Sequence, residues 1–171
     1  MSNPGRRHPV THRVYIRPTM SDQTTRPTAR VRRATEFDAA AIVALIDLYV
    51  PSGTLLARSL EFVASRCHEF IVAVDAEDRV IGCVHLDEYS PSIAELRSLA
   101  VAPSAQGTGL GRLLVDATID LARKREYAIL FAVSNDEAFF ARFGFARTEI
   151  PELDRERSEV SRYKGVFAKT L

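Results

Sequence analysis

The feature that most limits what this chain can fold into is an apolar strand that runs into a glycine-rich turn and then a helix. Glu95-Leu96-Arg97-Ser98-Leu99-Ala100-Val101-Ala102-Pro103 reads as a strand that stops at its proline. Gln106-Gly107-Thr108-Gly109-Leu110-Gly111-Arg112 follows it. Leu110, Leu113, Leu114, Ala117 and Leu121 then recur at i, i+3, i+4, i+7 and i+11, the period of one helical face over 109–124. Alternating glycines let the backbone take left-handed turns and approach a ligand closely. A helix start adds unpaired N–H donors and a partial positive charge, so the chemistry served is anion binding, above all of a phosphate or pyrophosphate. Two nucleotide-binding patterns do not fit. A P-loop needs Gly-Lys-Ser/Thr, and a dinucleotide fingerprint needs G-x-G-x-x-G opening a βαβ unit, whereas this turn is G-x-G-x-G after a hairpin-rich stretch.

The rest of the chain alternates strands and helices from Arg30 onward. Arg30–Arg33 reads as a short strand. Thr35, with Glu36 and Asp38 behind it, caps a helix over 36–49 whose stripe is Phe37, Ala41, Ile42, Leu45, Ile46 and Tyr49. Pro51-Ser52-Gly53 breaks it, and Ser59 caps a shorter helix to about Arg66. Strands at Glu69–Val74 and Val80–Asp87 form a hairpin about Asp75-Ala76-Glu77-Asp78, and Ile93–Val101 follows the break at Tyr89-Ser90-Pro91. A strand at 127–133, a helix at 136–143 and strands at 145–150 and 163–170 complete a mixed-sheet α/β domain over 30–171. His68 reads as a strand-edge residue.

Composition adds exclusions. The chain has 171 residues, 46% of them apolar, enough for one substantial core. Its 23 basic and 22 acidic residues give +1 overall, but residues 1–29 hold five arginines against Asp22, a balance of +4 that leaves −3 for the rest. That proline-rich segment has too little apolar content to fold and reads as a flexible tail, or as residues ahead of a start at Met20. No apolar h-region follows its arginines, so it is no secretory signal. Nothing suggests nucleic acid as a partner. No apolar run approaches the ~20 residues of a membrane helix. Cys67 and Cys83, 16 residues apart, suit small core residues in a reducing compartment, and His85, Asp87 and Glu88 lack metal-ligand spacing, so the reading is cytoplasmic and metal-free.

The pattern Q-x-x-G-x-G after a strand ending in V-x-P resembles the acyl-CoA pyrophosphate loop of the GNAT acetyltransferase superfamily. Asp136–Phe145 resembles that family's later helix-turn-strand segment, which ends in Gly-Phe. The resemblance implies a GNAT fold, with a mixed central sheet of about six to seven strands and about four flanking helices, and acetyl-CoA as cosubstrate. It places the cofactor on Gln106, Gly107, Thr108, Gly109, Gly111 and Arg112, with the backbone of Leu99 and Val101 pairing with the pantetheine arm like an added strand. Many members carry a tyrosine acid in F-Y-x-x-x-G-F. Here that position is Phe140, so no phenol is available there, and Phe139, Phe143 and Phe145 read as core.

A narrower match covers Gly53–Ser59, Glu95–Val101 and Ser161–Leu171, which together look like the acetyltransferase domain of N-acetylglutamate synthase in its short, stand-alone form. This resemblance implies that Arg58 holds the side-chain carboxylate of glutamate, Arg162 its α-carboxylate, and that Glu95 is the base toward the α-amine. Leu56 and Ser98 fall on substrate-holding positions. The physical logic agrees: a dicarboxylate suits two guanidinium forks, and an ammonium must lose a proton before it attacks a thioester. A strand N–H near Leu99 would stabilise the oxyanion. Ser134, which follows the strand Ile129–Val133, is placed to protonate the departing thiolate. Alternation puts Arg97 on the face of Glu95, where substrate and ion pair are both open. Lys164 stands where some relatives have a small hydroxyl residue. The expected function is acetylation of L-glutamate for arginine biosynthesis. Another amino acid, a small amine or a peptide N-terminus as acceptor, or a non-catalytic CoA sensor, stay as alternatives. The partner expected is a small amino acid, with no nucleic acid or membrane, and a homodimer is compatible with the sequence.

Overall fold

A computed structural model describes residues 29–149 and 164–171. Seven strands form one sheet in the order β1-β2-β3-β4-β5-β7-β6. They are β1 (Arg30–Arg33), β2 (Phe70–Val74), β3 (Val80–Ser90), β4 (Ile93–Val101), β5 (Ile129–Ser134), β6 (Ala146–Thr148) and β7 (Gly165–Thr170). Every neighbouring pair is antiparallel except β4 and β5, which run parallel because α3 crosses over between them. The helices are α1 (Ala39–Asp47), α2 (Leu60–Ser65), α3 (Leu110–Lys124) and α4 (Glu137–Ala141).

The sheet separates two apolar layers, and β2 shows why. All five of its residues are buried, Ile71 and Ala73 toward one layer and Phe70, Val72 and Val74 toward the other. Leu110, Leu114, Val115 and Ile119 of α3 cover the first layer, and Ile42 and Ile46 of α1 with Val63 of α2 cover the second. Gly82 on β3 permits the close seating of α3, since a Cβ there would lie 2.9 Å from a Leu114 methyl.

Several expectations shift. The first helix enters through a 3-10 turn at Glu36–Asp38, whose tighter winding turns Phe37 outward to 89% exposure, and Ala41 is exposed as well. The α-helix stops at Asp47, so Tyr49 lies in the turn beyond it. On α3 the buried stripe is Leu110, Leu114, Val115, Thr118, Ile119 and Ala122, and Leu113 faces out. β3 continues through Tyr89 and Ser90, where a break was expected. His68 belongs to a 3-10 turn at Cys67–Glu69 rather than a strand edge.

β4 carries the distortion that matters most. Cys83 pairs with Ala100 and His85 with Arg97, so Val84 alone opposes both Ser98 and Leu99, a β-bulge with Ser98 at φ +51°. The extra residue reverses the faces. Ala94 and Leu96 point into the α3 layer, but Ala100, still an even position, points into the α1–α2 layer, and Leu99 and Val101 take over the α3 side.

Candidate active site

The site begins where the sheet stops being a sheet. β4 and β5 pair only from Ile93–Leu96 to Ile129–Ala132. Past that point the strands diverge, and a cleft of about 810 Å³ opens between Arg97–Val101 on one side and Val133–Asp136 on the other. Ala102 donates its N–H to Ile81, and in an antiparallel pair bonded and non-bonded residues alternate. Val101 therefore turns its N–H and carbonyl away from β3, into the cleft. The bulge frees the backbone of Leu99 in the same direction. The cleft thus has one polar strand edge, suited to an extended chain that carries amides of its own.

One end of the cleft is the glycine turn. Gly107 and Gly109 adopt φ of +74° and +89°, which a side chain would strain, and Gly109 caps α3. Gly111, in contrast, is ordinary helix, with the Phe139 ring against it. Gln106, Gly107 and Gly111 line the cleft. Thr108 turns its hydroxyl to the carbonyl of Ala105 at 2.7 Å, which tightens the turn, and Arg112 lies exposed, 3.6 Å from Asp116. The first N–H groups of a fifteen-residue helix point toward this end. An amide-accepting edge that leads to an anion-accepting helix start fits the two halves of an acyl-CoA, pantetheine and pyrophosphate.

Phe139 and Phe140 line the cleft below, at the start of α4, where the Asp136 carboxylate caps the Phe139 N–H at 2.9 Å. Phe139 is thus a wall of the site as well as core. Ser134 lines the cleft where β5 departs, and its Oγ accepts the Asp136 N–H at 3.0 Å. Tyr49 and Lys164 also reach this cleft. Sequence reading singled out Lys164 only by its place in the Ser161–Leu171 segment and took Tyr49 for a helix-stripe residue, because each reaches the cleft by a contact far along the chain.

Beyond Arg97 lies a cluster of charges on the face that α2 covers. Arg97 donates to Asp87 at 2.6 Å, and its Nε lies 3.5 Å from Glu95. Asp87 stands opposite Glu95 in the β3–β4 register. Arg66 approaches Asp87 at 3.6 Å and Glu69 at 3.4 Å. Glu69 in turn accepts from His85 Nε2 at 2.9 Å. His85 is fully buried, stacked on Phe70, and burial holds it below its ordinary value against the pull of Glu69, which keeps it neutral. Glu69, His85 and Asp87 bring ligand-type atoms within 4.8 Å of one another, but Arg66 and Arg97 already neutralise both carboxylates. The cluster is an ion-pair network.

Arg58 projects into this cluster from just ahead of α2. Its guanidinium lies 5.4 Å from the Phe62 ring, and its buried Nε has no hydrogen-bond partner among the described residues. Burial first, and then Arg97 alongside, pull it below its ordinary value, with Glu95 and Asp87 opposing. A half-buried guanidinium with a buried, unpartnered Nε is suited to an anion. Leu56 is exposed nearby in sequence, and Ser98 is buried, its carbonyl accepting the Cys83 S–H at 3.6 Å. Burial pushes that thiol up to about 12, so Cys83 is inert. Arg162 lies outside the described residues.

With this geometry in place, likeness to known proteins becomes informative. Residues 39–145 match the acetyltransferase (GNAT) family. An uncharacterised N-acetyltransferase of Chlorobaculum tepidum is 34% identical over 119 residues, 70% of this chain and 76% of that one. An amino-acid acetyltransferase of Mycobacterium tuberculosis is 35% identical over 121 residues, 70% of this chain and 69% of its own length. Among solved structures, a Mycobacterium tuberculosis protein in complex with CoA superposes with a TM-score of 0.75 at 28% identity, covering 83% of this chain and 99% of that one. N-acetylglutamate synthase of Neisseria gonorrhoeae, complexed with coenzyme A and N-acetyl-glutamate, gives 0.72 at 29% identity over 84% of this chain but only 35% of its own. The splayed strands, the glycine turn and the family match agree: this chain belongs to the GNAT family of N-acetyltransferases, the enzymes that take their acetyl group from acetyl-CoA.

Proposed function

We propose that this enzyme acetylates the α-amine of an amino acid, and that the acceptor is L-glutamate, the opening reaction of arginine biosynthesis in the cytoplasm. The observation that carries the reading is Arg58, a half-buried guanidinium whose buried Nε has no partner among the described residues, set among Glu95, Arg97 and Asp87 beside the cofactor cleft. A carboxylate side chain would satisfy it with a bidentate pair, as a carboxamide would not. The amino-acid acetyltransferases among its relatives support the same acceptor class. Support from whole proteins is narrower, since the chain spans about a third of the Neisseria meningitidis relative.

In this reading each residue has one task. Arg58 holds the side-chain carboxylate and Arg162 the α-carboxylate, with Leu56 and the backbone of Ser98 completing the acceptor site. Glu95, held beside Arg97, takes the proton of the ammonium so that nitrogen can attack. The Leu99 N–H, freed by the bulge, faces the oxygen on which negative charge gathers. Ser134 returns a proton to the departing sulfur, in the absence of a phenol at Phe140.

An acetyl-CoA assay over the twenty amino acids and a peptide panel tests the acceptor. CoA release with glutamate, weakened about ten- to a hundredfold in kcat/KM by Arg58→Ala or Arg162→Ala, is the expected result, equal to roughly 1.5–3 kcal/mol for hydrogen bonds to a charged group. Glu95→Gln lowers kcat more than it raises KM and moves the pH profile. Unchanged glutamate kinetics in both arginine variants would overturn the dicarboxylate assignment and leave the family intact.

A further inference from the structure

Tyr49 sits in the turn after α1 and touches both segments that hold the cofactor. Its phenol O–H donates to the carbonyl of Val101, at the end of β4, and the same oxygen accepts from Gln106 Nε2 at 2.8 Å. Gln106 is the residue immediately ahead of the glycine turn, at the C-cap of a 3-10 turn over Pro103–Ala105. One phenol therefore closes the short connection between the cleft-facing strand edge and the anion-binding helix start. The tyrosine is itself held, because its carbonyl accepts from the Leu55 N–H at 3.3 Å and from the Ser52 hydroxyl at 3.0 Å. It lines the cleft and also packs against the apolar layer beneath α1 and α2.

We propose that Tyr49 is a positioning residue for acetyl-CoA: it holds the Val101 carbonyl and the Gln106 side chain in the relative placement that the pantetheine arm and the pyrophosphate require at the same time. A carbonyl has two lone pairs, so Val101 keeps the phenol while accepting an amide N–H on the other side. Without the hydroxyl, Gln106 and the turn behind it must be ordered when the cofactor arrives, and that cost appears in its affinity. The proposal rests on the cofactor assignment alone and is independent of which amine is acetylated.

The test is calorimetric titration of CoA, with no acceptor present, into the wild type and Tyr49→Phe. The variant keeps the ring and loses both hydrogen bonds, and Kd for CoA should rise about five- to thirtyfold, a larger change than the one in the KM of the acceptor, while the fold is retained with the melting temperature lowered by at most a few degrees. Gln106→Leu should also weaken CoA, and its effect should shrink in the Tyr49→Phe background, since both remove the same bond. Unchanged or tighter CoA binding in Tyr49→Phe, equal losses for CoA and acceptor, or strictly additive effects of the two variants would each overturn the proposal.

Discussion

Asp38 is 7% exposed and charged, and its neighbours explain how. Arg32 donates to its two oxygens at 2.7 and 2.9 Å, and the N–H and hydroxyl of Thr35 donate to one of them at 2.8 and 3.0 Å. Arg32 first, and then Thr35, hold the carboxyl down from 3.8 to about 2, against the opposing effect of burial. A carboxyl depressed by folding adds stability that is present above its unfolded value and disappears as pH falls through its folded one, here from about pH 5 down to about pH 2, and worth about 2 kcal/mol. Urea unfolding should therefore show Asp38→Asn destabilised at pH 7, with the gap to wild type closing toward pH 2. A gap that stays constant with pH would contradict this account. The sequence revealed the Thr35–Asp38 cap because capping is local. It did not reveal Arg32 as partner, which depends on how β1 passes the turn. Glu95 and Arg97 are a mirror case, since strand alternation alone put them on one face, and only the structure showed that Arg97 pairs with Asp87 as well.

At the scale of elements, the segment between α1 and α2 is the least regular and the most consequential. It carries Leu56 and Arg58, and it is tied at both ends. Tyr49 fixes one end to β4, and Lys164, 110 residues away, donates from Nζ to the carbonyls of Thr54 at 2.8 Å and Gly53 at 3.1 Å. That lysine stands at the start of β7, so the segment is suspended across the cleft. Lys164→Ala should loosen it, raising the acceptor KM several-fold while the affinity for CoA changes little, and Lys164→Arg should recover part of the loss. Hydrogen exchange over 51–58 should rise in the alanine variant, and an unaltered exchange rate there would show that the tie does not hold the segment. Elements with long periodic stripes were legible, but their faces less so. α3 was expected with Leu113 inward and has Val115 and Ile119 instead, because periodicity locates a helix better than it decides which of several leucines meets the sheet.

For the whole molecule, the sheet is one body at the β1–β4 end and an opened pair of strands at the other. A ligand seated between β4 and β5 binds only the folded chain. Acetyl-CoA at about a hundred times its Kd should therefore stabilise the protein by about 2.7 kcal/mol, or raise the melting temperature by about 5–10 °C, measured by calorimetry with and without ligand. A free amino acid at the same multiple but without cofactor tests whether the acceptor site forms alone. The domain has little net charge, and what it offers an anion is local, the N–H groups at the start of α3 and the half-buried guanidinium of Arg58, rather than a broad basic surface.

The amino-acid sequence by itself determined the order and kind of nearly every element, the glycine turn at the start of α3, the family, and the absence of a phenol at Phe140. Each of these is written in local spacing or in residue identity. Only the tertiary structure decided where β4 stops pairing with β5, that Ser98 takes a left-handed bulge and reverses the faces of β4, and that Tyr49 and Lys164 reach the cleft. Those outcomes depend on contacts between residues tens of positions apart. A bulge or a splay costs its strand locally, and is stable only because packing and hydrogen bonds from distant segments hold it open.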